Sequence, residues 1–156
     1  MTDDTKKETL EQEVEHILEE SRMVLPGIQA LFGFQLIAVF NPRFDDVLGQ
    51  GAQKLHLGAV ILTAAAIALI MAPAAYHRQV ERGSISRYLA TYASRLIATA
   101  MAPLLIALSI EVSLVAFVVL RDIFLSAIIG GAIFLAFTWL WYGFPALKKR
   151  KRSNRK

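Results

Sequence analysis

The chain has 156 residues, a net charge of +4, 55% apolar residues and a mean hydropathy of +0.46. That length supports one domain, and the apolar share exceeds that of an ordinary soluble one. With no cysteine, disulfides, thiolate metal sites and cysteine nucleophiles are excluded. His16, His56 and His77 lie far apart in sequence, so no metal site is expected. No phosphate loop, nucleophile elbow or zinc-protease motif occurs, so no enzyme activity and no cofactor are expected.

Residues 1–24 form an acidic, amphipathic segment. Eight acids fall within residues 1–22, against Lys6, Lys7 and Arg22. This lacks the basic-then-apolar plan of a cleaved signal peptide. Leu10, Val14, Ile17, Leu18 and Val24 follow helical spacing with glutamates opposite. Interfacial helices that bind anionic lipid are basic on the polar face. An acidic face is better suited to docking on the chain's own arginine-rich side, or on a protein partner.

Four apolar stretches follow, at residues 25–40, 55–76, 96–120 and 123–147. A bilayer core of about 30 Å needs roughly 20 apolar helical residues. The first stretch is short, but the preceding segment can extend it. Continuous Ala/Leu-rich runs without in–out alternation argue against a lipid-facing barrel. The expected fold is therefore all-α, a four-helix transmembrane bundle over 25–147 with an N-terminal amphipathic helix.

Prolines punctuate the spans. Pro26 opens the first, Pro73 falls late in the second, and Pro145 is expected to end the fourth. Pro103 removes a hydrogen bond inside the third and should bend it. Gly83 to Ser86 make the second turn, with Ser86 a candidate N-cap. Only Arg121 and Asp122 separate the last two spans, so Asp122 can cap the fourth helix. Small residues recur at four-residue spacing as Ala64, Ala68, Ala72 and as Ala127, Gly131, a pattern that lets helices approach within the bundle or between copies. Four short helices bury limited surface, which a homo-oligomer would extend.

Residues 148–156 are a basic tail directly after an apolar helix. Anchoring on anionic membrane lipid suits it better than nucleic acid. With the N-terminus inside, fourteen Lys and Arg fall on the inner side and three (Arg43, Lys54, Arg121) on the outer. The positive-inside rule then places both termini in the cytoplasm. Tyr76, Tyr88, Tyr92, Trp139, Trp141 and Tyr142 form an aromatic belt at the same inner interface.

Glu111 is the sharpest chemical feature. It lies nine residues from the end of its span, roughly 13 Å deep at about 1.5 Å per residue. An ionisable group there costs on the order of 2.5–3.5 kcal/mol and marks a functional site by default. No basic partner is expected within the spans, so Glu111 is either protonated or lines a wet cavity or an oligomer axis. By the same counting of rise, Gln35 and Thr63 reach similar depth, and Ser109 and Ser113 can extend a polar cluster around Glu111. Gln29 shares a helix face with Gly33 and is a further intramembrane candidate. The bland alternative is an interhelical hydrogen bond that only fixes packing. At the inner mouth, Arg22, His77 and Arg78 are candidates for a lipid-headgroup or anion site, or for a proton relay through His77. His56, Asp45 and Asp46 on the outer side form at most a weak cation site.

The run S-R-x-x-L-P-G-x-Q-x-L-F-G-F-Q-L from Ser21 to Leu36, followed by A-P-A-A-Y-H-R from Ala72 to Arg78, resembles a family of small bacterial four-helix membrane proteins known only as a domain of unknown function. The resemblance covers roughly residues 10–145. It implies a four-span inner-membrane protein and supplies no catalytic or transport residue to carry over. Two classes of function follow from the residues: a small oligomeric channel or transporter built on Glu111, or a non-transporting scaffold, regulatory or lipid-interacting subunit.

Because the chain has no cysteine, its orientation can be read by labelling single-cysteine variants in intact cells. Arg121→Cys is expected to react with a membrane-impermeant maleimide and Ser153→Cys only after lysis. The opposite pattern would invert the topology.

Overall fold

The computed structural model describes residues 9–80 and 86–153, without the side chains of residues 11 and 151–153. All described secondary structure is helical: α1 (Leu10–Val39), α2 (Phe44–Val47), α3 (Gln50–Val80), α4 (Arg87–Leu120), α5 (Ile123–Thr138), a π-helical turn (Trp139–Gly143) and α6 (Phe144–Ser153). Four helical rods are long and apolar enough to cross a membrane: Gln12–Val39, Gln50–Val80, Arg87–Leu120 and Ile123–Arg150. They run up and down, so one end of the bundle gathers residues 10, 80, 87 and 153. This is called the terminal end below. The loop around α2 and the Arg121–Asp122 turn sit at the opposite, hairpin end.

Local chemistry fixes the helix boundaries. Thr9 caps α1 through a reciprocal pair: its hydroxyl accepts from the Gln12 amide (3.4 Å), and Gln12 Oε1 accepts from the Thr9 amide (3.1 Å). Ser86 accepts from Leu89 N at the start of α4, and Asp122 accepts from Leu125 N at the start of α5. Between them Arg121 adopts a left-handed conformation (φ 55°) that closes α4. Residues 83–85 of the second turn lie outside the described residues, as do Glu81 and Arg82. The same holds for residues 1–8 and 154–156 and for the side chains of 151–153.

The amphipathic segment and the first span are one continuous helix, with Pro26 inside it. Val14 is buried against Leu89 and Ala90 of α4, with Leu10, Leu18 and Tyr76 packed around them. Glu13, Glu15, Glu19 and Glu20 remain exposed. The helix at Pro145 differs from expectation. Pro145 stands at the second position of α6 and the helix runs on to Ser153. A proline in a first helical turn lacks only an N–H that needs no partner there, and the preceding π turn resets the helix before it.

Packing centres on α4, which lies against α1, α3 and α5. The α3–α4 seam is built from small residues spaced by seven. Ala59, Ala66 and Pro73 on α3 and Ala93, Ala100 and Ala107 on α4 are all buried. Absent bulky side chains, the two backbones approach closely, as small residues allow in membrane bundles. Ile28 of α1 closes over this seam with Ala66, Ile70, Ala100 and Leu104. Most of the four-spaced set takes no part in it: Ala64, Ala68, Ala127 and Gly131 are exposed, and Ala72 is half-buried. Large apolar side chains such as Phe34, Ile61, Phe124 and Leu135 also point outward, as lipid-facing positions do.

α5 meets α4 at Gly130, where an added Cβ would fall 2.7 Å from Ser113 Cβ and 3.0 Å from the Ser109 carbonyl oxygen. Nothing lies within 4 Å of the corresponding point at Gly131. Gly130→Ala is therefore expected to destabilise the α4–α5 contact by about 1–3 kcal/mol, seen as a lower Tm in mild detergent. Gly131→Ala, the matched control, should leave Tm unchanged or slightly raised.

Candidate functional site: a carboxyl–imidazole–amide cluster

Three helices bring one polar group each to the same point, near the hairpin end. Glu111 comes from α4, His56 from α3 and Gln35 from α1. Gln35 and His56 are each 4% exposed. The Gln35 Nε2 amide donates to Glu111 Oε1 at 3.0 Å. His56 Nδ1 lies 3.0 Å from the same oxygen and 3.4 Å from Oε2. His56 Nε2 lies 3.0 Å from the backbone carbonyl oxygen of Gln35. Phe44 of α2 meets the imidazole edge-on, with ring centroids 5.5 Å apart. The short α2 is held over the site by Gln53, whose Nε2 donates to the Leu48 carbonyl (2.8 Å) and to Asp45 (3.1 Å).

These contacts correct the expectation that Glu111 has no basic partner. His56 stands at the first turns of its span, and its ring reaches inward to the carboxyl. Helical arithmetic could have found it. His56, Thr63 and Ile70 repeat by seven beside Ala59 and Ala66, so His56 sits on the buried face of α3. Asp45 pairs with Gln53 instead of joining His56 in a cation site.

The hydrogen bonds fix more than position. A backbone carbonyl only accepts, so His56 Nε2 must carry a hydrogen to bond it. That assignment leaves one proton for the Nδ1–Oε1 contact. Either Nδ1 holds it, giving imidazolium and carboxylate, or Glu111 holds it, giving a neutral acid and a neutral imidazole. Both arrangements are neutral overall, which suits a site in low dielectric where a lone charge is costly. Removing the proton would leave a carboxylate facing an imidazole lone pair. Gln35 Oε1 is buried with no hydrogen-bond partner among the described residues. It is an acceptor position able to receive a further donor, such as water.

The remaining candidates lie apart from this cluster. Thr63 is fully buried two turns further along α3, but its hydroxyl donates to Ala59 of its own helix (3.0 Å). Ser109 likewise donates to Leu105 (2.8 Å). Ser113 reaches across to the Ser126 carbonyl on α5 (3.0 Å) and serves the α4–α5 contact. Gln29 is exposed on α1. At the terminal end Arg22 and Arg78 are exposed and His77 is half-buried, none of them near Glu111 along the helices.

Long apolar rods, lipid-facing side chains and a buried neutral polar cluster define a multi-pass helical membrane protein. The chain belongs to DUF6328, a family of unknown function, which it matches over residues 3–145. No curated protein and no solved structure matches it.

The shared-proton contact predicts a difference between two substitutions. Glu111→Gln can accept from Gln35 and donate an amide hydrogen to His56 Nδ1, so it should fold with a Tm near wild type. Glu111→Ala leaves both partners unpaired and should lose about 1–3 kcal/mol. Nitrogen NMR of labelled His56 should show Nε2 protonated in both wild type and Glu111→Gln. A Nδ1-protonated neutral ring would overturn the assignment.

Proposed function

We propose that the protein is a small ion channel or transporter, working as a homo-oligomer, in which the His56–Glu111 pair binds and releases a proton. The contact that carries this reading is the 3.0 Å approach of His56 Nδ1 to Glu111 Oε1 inside an apolar bundle. Passing the shared proton between acid and base leaves the charge of the pair unchanged, while its uptake or release changes that charge by one unit, as a proton-carrying site requires. Ionisable groups placed within membrane helices are the usual elements of proton relays. The unpaired Gln35 Oε1 supports the reading, because it offers a donor-binding position beside the pair. Phe44 and the pinned α2 cover the site at the hairpin end, where access would have to open. The exposed small residues on α3 and α5 offer faces for a second copy. The reading needs no cofactor, catalytic turnover or nucleic acid. It places the chain in a bacterial inner membrane, with the terminal end in the cytoplasm and its basic side chains against anionic lipid.

A second reading has its own observation. The Gln35–Glu111 bond ties α1 to α4 and closes the cluster, while the acidic face of α1 stays open. A non-transporting scaffold or regulatory subunit would use the cluster to fix the bundle and the glutamate face to meet a protein partner.

The test is proton flux into liposomes carrying the purified protein and an internal pH dye, driven by a potassium diffusion potential. Wild type is expected to acidify the lumen well above protein-free vesicles, and the well-folded Glu111→Gln to fall to background. Wild-type flux at background, or unchanged flux in Glu111→Gln, would remove the transport reading. Background wild-type flux together with a stable copurifying partner would favour the scaffold.

A further inference from the structure

The other half of the bundle holds a second feature, which the polar cluster does not use. Between α1, α3 and α4 lies a cleft of about 230 Å³, walled by Val24, Ile28, Ala100 and Met101 and by Trp141 of the π turn. Its lining is almost wholly apolar. The one ionisable side chain on it is Glu20, an exposed residue at the terminal-end side of α1. From Glu20 to Ile28 is eight residues, so the cleft extends about 12 Å along the helix axis. An amphiphile with its head at Glu20 and its tail toward Ile28 would fit that run.

The local chain is built to present Trp141 there. The wide π turn over Trp139–Gly143 interrupts α5, and such turns recur at functional positions. Gly143 lets the Trp139 ring lie against it: an added Cβ would fall 2.7 Å from that ring. Trp141 stacks on Phe137 (5.2 Å between centroids) and packs beside the Ile28–Ala66–Ile70 cluster. Thus the π turn sets an indole into the cleft wall.

Charge decides what the cleft takes. Among the described residues Glu20 makes no hydrogen bond or ion pair, and no cationic side chain lines the cleft. The Ser21 hydroxyl is occupied by the Ile17 carbonyl at 3.0 Å. The described lining therefore offers an acceptor and an indole, and no cation for a phosphate or carboxylate head. We propose that this cleft binds a cationic amphiphile, with its ammonium group at the Glu20 carboxylate and the Trp141 indole and its aliphatic tail among Val24, Ile28, Ala100 and Met101. Indole walls and carboxylates are the groups that recognise onium ions. The site stands in the opposite half from His56 and Glu111 and does not depend on their role.

The two tryptophans make the test direct. Trp139→Phe leaves Trp141 as the only indole. This variant, full length in neutral phosphatidylcholine nanodiscs, is titrated with a bromoalkyl trimethylammonium probe and with the matching bromoalkanol, each corrected for partition into protein-free discs. Saturable quenching by the ammonium probe is expected at a concentration at least about tenfold lower than by the alcohol. Glu20→Gln in the same background should abolish that difference. Val24→Phe, at an exposed position on the cleft wall outside the α3–α4 seam, should fill the cleft and remove saturable quenching by either probe, with Tm and helicity confirming that both variants fold. Equal quenching by the two probes would mean that an ordinary lipid chain occupies the cleft and would overturn the proposal. So would an unchanged head preference in Glu20→Gln.

Discussion

The close contact between α3 and α4 is the constraint on which the rest of the bundle depends. In lipid there is little hydrophobic force between helices, so association relies on packing and on polar groups that have no other partner. Alanines at seven-residue spacing let the two long helices approach along most of their length. That approach sets α1 into the groove over Ala66, Ala100 and Leu104 and leaves α5 against the far side of α4. It also sets His56 opposite Glu111. A bulkier seam would separate the imidazole from the carboxyl and leave each one buried alone.

The polar cluster works with that seam. Gln35, His56 and Glu111 join α1, α3 and α4 through three contacts near 3.0 Å. Each group satisfies another that would otherwise face apolar surroundings. The backbone carbonyl of Gln35 fixes the imidazole tautomer, much as second partners orient histidines elsewhere. What is left movable is one proton between two atoms. A group that only held helices together would need no titratable pair, since two amides could do the same. That contrast is the physical ground for reading the cluster as chemical as well as structural.

The two halves of the bundle differ in kind. The hairpin half holds the neutral polar cluster under Phe44 and α2. The terminal half holds the tyrosines of α3 and α4, the docked N-terminal turns of α1, and the apolar cleft beside Trp141. Local irregularity follows the same division. The π turn lies in the terminal half, and the connection of residues 40–49, which carries the short α2, caps the hairpin half.

Much of this was legible in the chain itself. Apolar run length determined four spans, because a bilayer of fixed thickness demands about 20 apolar helical residues. The depth of Glu111 and Gln35 followed from a constant rise per residue. Capping by Ser86 and Asp122 followed from side chains that accept hydrogen bonds from free amides. Other features needed the tertiary structure, because they depend on rotation about the helix axis. Run length cannot say which alanines meet, so the four-spaced set looked like a seam while the seven-spaced set forms it. Seven-residue spacing puts His56 on the buried face of its span, but which group that face meets depends on how the helices pack. Only the packed bundle gives Glu111 a basic partner.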